Sequence, residues 1–175
     1  IREALAESKQ AVELNPFDPS INSCLAWHHL YSREYGQAAD QSLKVLTADP
    51  SSWWARVNLG CAYAQLGRYA DGVQEFKKSL VLWPGNGLSL AGLGHTYALE
   101  GRITEAKATL DTLIAATHTG YIAAYDVATV YAGLNDADQA FAWLEKAFNE
   151  RSAFLVHLKW DPKFASLHSD PRFNQ

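Results

Sequence analysis

Apolar residues recur at helical spacing along most of the chain, in runs that stop at proline. The runs AVELNP, KVLTADP and SLVLWP end at Pro16, Pro50 and Pro84, spaced 34 and 34 residues apart. The same step carries Gly60 to Gly94 and Ala128, and Tyr63 to Tyr97 and Tyr131. It also carries Gly67 to Gly101 and Asn135, while Leu59, Leu93 and Val127 share one register and Gly72, Ala106 and Ala140 another. Self-similarity at a fixed period of this size is the mark of one supersecondary unit stacked on itself.

One unit shows why the pattern takes the form it does. In VNLGCAYAQLGRYADGVQEFKKSLVLWP, a first helix carries Leu59, Gly60 and Tyr63, a turn falls at Leu66-Gly67-Arg68, and a second helix carries Gly72, Phe76 and Ser79. Small residues at 60 and 72 let two helices approach closely, and Tyr63 and Phe76 fill the remaining space. Gly67 is suited to the left-handed conformation that ends a helix. Pro84 cannot continue a helix, so the chain turns into the next unit.

These residues resemble the tetratricopeptide repeat family. With Trp53 as the first position of a repeat, the family's small residue at position 8 matches Gly60, Gly94 and Ala128, and its tyrosine at position 11 matches Tyr63, Tyr97 and Tyr131. Its alanine at position 20 matches Ala38, Ala106 and Ala140, with Gly72 in the second full repeat, and its proline at position 32 matches Pro16, Pro50 and Pro84. Residues 19–52 depart most, with His29, Arg33 and Ser42 where the family has tyrosine, glycine and a large aromatic. The later repeats have His118 and Ser152 in place of proline. The resemblance implies an all-α fold, a right-handed superhelical solenoid of antiparallel helix pairs. Repeats are expected at 19–52, 53–86, 87–120 and 121–152, with a short helical cap at 153–175. Residues 1–18 read as the second helix of a repeat whose first helix is missing, so the chain is expected to be cut from a longer protein with an apolar face exposed at its N-terminal end.

Composition narrows the function. The chain is 48% hydrophobic and 19% charged, as a globular protein is, and its net charge of −4 argues against nucleic-acid binding by this segment or attraction to anionic membrane. No run reaches the roughly 18 apolar residues of a membrane span. Two cysteines, Cys24 and Cys61, are too few for a disulfide framework; both are expected as buried free thiols, which fits the cytoplasm. No HExxH, phosphate loop or nucleophile elbow is present, so neither catalysis, a cofactor nor a metal is expected. His28 and His29 point about 100° apart on a helix and do not share a metal easily, one being expected packed and the other at the surface. Asp136 and Asp138 fall at a helix start, where they favour the dipole.

Binding is expected on the concave face, lined in such solenoids by the first helix of each pair. The family's ligand-contacting positions carry over as Trp27 and Tyr31, then Trp54, Val57, Cys61 and Gln65, then Leu88, His95 and Leu99, then Ile122, Tyr125 and Thr129. No Lys or Arg stands in that set. Asn58, one position over, cannot supply the charge alone, so a clamp for a partner's terminal carboxylate is disfavoured. The set is apolar and aromatic, suited to a helix or extended apolar segment of a protein partner. The chain's own tail covering it is the structural alternative. Self-association, or sensing of a small ligand near His95 and Trp27, are the alternative functions.

After Arg151 the repeat stops. In WDPKFASLHSDPRF, Asp161-Pro162 and Asp170-Pro171 read as helix starts, because Asp caps and Pro suits the first helical position. A short helix is expected over 154–160, with Phe164, Leu167 and Phe173 packing inward and Lys163 and Arg172 on the solvent side. The stretch from Tyr125 to Phe173, above all AFAWLEKAFNERS and DPRF, is similar to the C-terminal repeat regions of bacterial multidomain regulators. In those, the repeats follow a winged-helix, serine/threonine kinase or nucleotide-cyclase domain.

Overall fold

The computed structural model describes residues 1–118 and 122–174, with the backbone alone at Asn174. The expected repeat boundary at 120/121 lies outside the described residues. Among those described, the chain forms nine α-helices followed by three 3-10 helices: α1 (Arg2–Leu14), α2 (Pro19–Tyr31), α3 (Tyr35–Ala48), α4 (Trp53–Gln65), α5 (Tyr69–Leu82), α6 (Gly87–Leu99), α7 (Ile103–Thr117), α8 (Ala124–Gly133) and α9 (Ala137–Asn149), then η1 (Ala153–His157), η2 (Pro162–Leu167) and η3 (Pro171–Asn174). Two compact units result, Ile1–Pro84 and Gly85–Gln175. In the first, α2 pairs with α3 and α4 with α5; in the second, α6 pairs with α7 and α8 with α9.

The period is written into the helix ends. First helices begin at 19, 53 and 87, each behind a side-chain cap one residue earlier. Asp18 accepts from Ser20 N and Ile21 N, Ser52 from Ala55 N, and Asn86 from Ser89 N. Each cap satisfies amide groups that have no partner inside the helix. Second helices begin at 35, 69, 103 and 137. The turn before each contains one residue with positive φ: Arg33 (62°), Gly67 (75°), Gly101 (80°) and Asn135 (58°). The amide after it reaches back into the first helix: Glu34 to His29 O, Arg68 to Tyr63 O, Arg102 to Tyr97 O and Asp136 to Tyr131 O. This closes a left-handed C-cap at every turn, whichever side chain is present.

Each pair closes on a small residue. A Cβ added to Gly60 would lie 2.9 Å from the tip of the Phe76 ring, which is fully buried. A Cβ at Gly94 would lie 3.2 Å from Thr109 of its pair partner α7 and 2.9 Å from Val130 of the neighbouring first helix α8. First helices also pack side by side, α2 on α4 and α6 on α8. Asn58 spans the former contact by donating to Ser23 O at 2.9 Å.

Several expectations need correction. Cys61 is buried but Cys24 is only half-buried, because it lies away from the packed face of α2. His28 and His29 are both engaged. His29 is buried against Glu34, and half-buried His28 hydrogen-bonds Ser8 of α1. The helix expected over 154–160 is the shorter η1, and all three tail helices have 3-10 geometry, suited to short pieces. Leu14 and Phe17, at and just after the end of α1, are exposed, Phe17 to 91%.

Two measurements test this account. Gly60→Ala should lower stability, because overpacking costs about 1–3 kcal/mol and alanine returns only about 1 kcal/mol as a better helix former. A fall in the urea midpoint is the expected readout, and an unchanged midpoint would mean that Phe76 can move aside. Arg33→Gly should raise stability by about 1 kcal/mol, since it relieves a non-glycine residue at φ 62°.

Candidate functional site

The expected groove residues fall into two sets, one in each unit. In the first unit Trp27 is the centre of an aromatic cluster. Its ring meets Tyr31 edge-on at 5.2 Å between centroids and Trp54 edge-on at 6.0 Å, and stacks beside His28 at 6.1 Å. These separations suit the preferred geometry of aromatic pairs. The side-by-side packing of α2 on α4 brings Trp27 and Trp54 together. Both rings stay half-exposed, as does Gln65, whereas Tyr31, Val57 and Cys61 are buried.

In the second unit the corresponding side chains surround the chain's own tail. Segment η2 packs on α8 and buries Asp161, Pro162, Phe164 and Leu167. Tyr125 donates its hydroxyl to Asp161 Oδ2 at 2.9 Å, and its ring lies 5.1 Å from that of Phe164. His95 Nε2 donates to the Lys163 carbonyl at 3.1 Å. The opposite face of His95 is close to Gly133, where an added Cβ would lie 2.8 Å from the ring. Thr129 turns its hydroxyl back to Tyr125 O, Ile122 is buried with Val127 and Val130, Leu88 is half-buried, and Leu99 is 40% exposed.

Asp161 does more than cap a helix. Besides Lys163 N at 3.0 Å and the Tyr125 hydroxyl, it accepts from Lys163 Nζ at 2.8 Å. Lys163 therefore does not lie on the solvent side, because a fully buried carboxylate requires a partner of opposite charge. Arg172 does lie outward, pairing with Asp170 and with Asp138 of α9.

The electrostatics are those of a dry cluster. Burial would push the Asp161 carboxyl up, but the Lys163 charge and the hydrogen bonds from Lys163 and Tyr125 hold it below the ordinary carboxylate value. Burial, helped by the nearby Lys163 charge, pushes His95 down to about 4, so it is neutral and carries its proton on Nε2. Asp126, one residue after Tyr125, is pushed up to about 7, chiefly by burial. Its Oδ1 is buried without a hydrogen-bond partner, and Lys163 is the cation acting on it.

Sequence reasoning found Tyr125 and His95 but missed Asp126, Asp161 and Lys163 as interacting groups. The signal was Asp126 itself. A charge inside the apolar run YDVATVYA has to find a partner.

The comparisons with known proteins agree with this fold. Residues 25–87 match the tetratricopeptide repeat family model. The solved thermophilic TPR protein TTC0263 from Thermus thermophilus superposes with a TM-score of 0.69 at 21% identity, covering 91% of this chain and 88% of that one. A tetratricopeptide repeat protein from Parabacteroides merdae gives 0.68 at 15%, covering 93% and 64%. YrrB, described as a TPR protein with an unusual peptide-binding site, gives 0.53 at 19%, covering 95% and 94%. No curated protein matches the chain. The chain thus has the tetratricopeptide-repeat fold.

The buried pair of His95 and Asp126 predicts an unusual pH response. His95, lowered from 6.5 to about 4, makes folding more favourable as pH rises between those values. Asp126, raised from 3.8 to about 7, makes it less favourable over nearly the same window. The two slopes oppose each other in the wild type. Asp126→Asn should expose the histidine slope, so that urea stability rises by on the order of 1–3 kcal/mol from pH 4 to pH 6.5 relative to the wild type. Parallel profiles would remove the cluster from the stability of the second unit.

Proposed function

We propose that the protein is a non-catalytic interaction module that holds a partner's apolar segment against the aromatic face of its first unit. The observation carrying this reading is the Trp27–Trp54 pair, two half-exposed indoles 6.0 Å apart on adjacent first helices, with Tyr31 behind them. Indole rings give large contact area at low entropic cost, and tryptophan is among the residues most often found to dominate binding energy. Gln65 extends the surface further along α4, while Val57 and Cys61 are buried. A helix or extended segment with two or three large apolar side chains is the ligand of matching chemistry. The similarity of the closing stretch to the C-terminal regions of bacterial regulators supports a place in a larger cytoplasmic regulatory protein.

Self-association is the second reading, favoured by the exposed Leu14 and Phe17. A molar mass that stays monomeric in light scattering across concentration would remove it.

Peptides selected from a displayed random library on the wild type should bind through these rings. Replacing both, as Trp27→Ala with Trp54→Ala, should weaken such ligands by at least about 30-fold, the equivalent of about 2 kcal/mol. Helical circular dichroism should be retained. Selected peptides that bind both proteins equally would sink the proposal.

A further inference from the structure

The face formed by α6 and α8 carries polar groups that a simple hydrophobic lid does not need. A lid could be seated by Phe164 and Leu167 alone. Instead, the face meets the segment with the Tyr125 hydroxyl on the Asp161 carboxylate and His95 Nε2–H on the Lys163 carbonyl. Segment residue Ser166 returns a hydrogen bond to Ala132 O at 3.2 Å. Tyr125, His95 and Asp126 are each less than one-tenth exposed. Buried polar groups are retained at a cost unless each is satisfied, so this is a built recognition surface.

What the surface recognises is local in sequence. It reads a carboxylate that caps its own turn, a main-chain carbonyl two residues on, a cation, and an aromatic ring next to it. All four come from Asp161-Pro162-Lys163-Phe164. Asp126, buried in α8, acts electrostatically on the Lys163 charge and keeps one buried oxygen that no hydrogen bond satisfies.

The same chain contains the motif a second time. In Asp170-Pro171-Arg172-Phe173, Asp170 accepts from Arg172 N at 3.0 Å, as Asp161 does from Lys163 N at 3.0 Å. This second copy forms its turn near the surface, without the α6–α8 face. It packs instead on α9, through Arg172 on Asp138 and over the Phe141 ring, so the capped turn forms in a second setting and does not require the α6–α8 face.

We propose that the α6–α8 face is a recognition site for an Asp-Pro-basic-Phe turn, filled in cis by Asp161–Phe164 and open to the same turn on a partner chain when the tail leaves. Tyr125 and His95 read its carboxylate and its backbone, and Tyr125 takes its ring. Asp126 favours its cation. The tail is then both the cover of the last repeat and the competitor that a partner must displace. This site is separate from the indole pair of the first unit and does not depend on it.

The test uses the full chain and a fluorescein-labelled peptide of sequence HLKWDPKFASLH. The wild type should bind it weakly, because the site is occupied. Phe164→Ala loosens the occupant and should bind the peptide at least tenfold more tightly by fluorescence anisotropy. Adding Tyr125→Phe should weaken that binding again, and a peptide with alanine for its phenylalanine should not bind. Should Phe164→Ala fail to fold, hydrogen exchange of the wild type decides the question: millimolar unlabelled peptide should raise exchange in residues 153–174. Unchanged exchange, or a folded Phe164→Ala chain that ignores the peptide, overturns the proposal. Retained binding of the library-selected ligands in that same chain would show that only this second site has failed.

Discussion

Everything in this molecule depends on how closely two antiparallel helices can approach. A helix of 13 to 15 residues is marginal alone in water and is stabilised by burying its apolar stripe. Here the stripe is buried by placing a residue without a side chain opposite a large one, as Gly60 lies under Phe76. That contact fixes the spacing of the pair. The left-handed turn then fixes where the second helix begins, and the side-chain cap fixes where the first begins. Within each unit the first helices lie side by side, α2 on α4 and α6 on α8, and give that unit a face of first-helix side chains.

The faces of the two units differ. In the first unit the face presents Trp27 and Trp54 half-exposed. In the second it is covered by the chain's own η2 segment. The difference lies in polar content. The first-unit face is aromatic, with Asn58 committed to bridging two helices. The second contains His95 and Tyr125, whose buried polar atoms find partners in the tail, and the buried Asp126. The tail supplies a carboxylate, an ammonium and a carbonyl at the depths where these groups lie, and two apolar anchors beside them.

The repeat was legible because its determinants are short-range. Pro16, Pro50 and Pro84, the small residue at the pair contact and the glycine in the turn each act within one unit, so their periodicity survives in the bare sequence. Arg33 and Asn135 mark the limit. Neither is glycine, yet both adopt positive φ, because the backbone hydrogen bonds of the turn are imposed by the helix pair rather than by the residue. The groove was legible as a list of positions but not as a surface. Whether Tyr125 faces a partner or the tail is a long-range matter, decided by Asp161, 36 residues away. Lys163 was misplaced for the same reason. A lysine beside a proline in a polar tail reads as solvated until a buried carboxylate claims it.

Asp161 ties the start of η2 to α8. Its carboxylate must reach Lys163 N to cap η2, Lys163 Nζ to balance charge, and the Tyr125 hydroxyl to satisfy α8. A short, tight turn keeps the backbone and side chain of Lys163 near the same oxygen atoms, and its carbonyl accepts from His95. One segment of four residues thus meets two buried groups of the face, the Tyr125 hydroxyl and the His95 ring, while placing its ammonium on its own carboxylate.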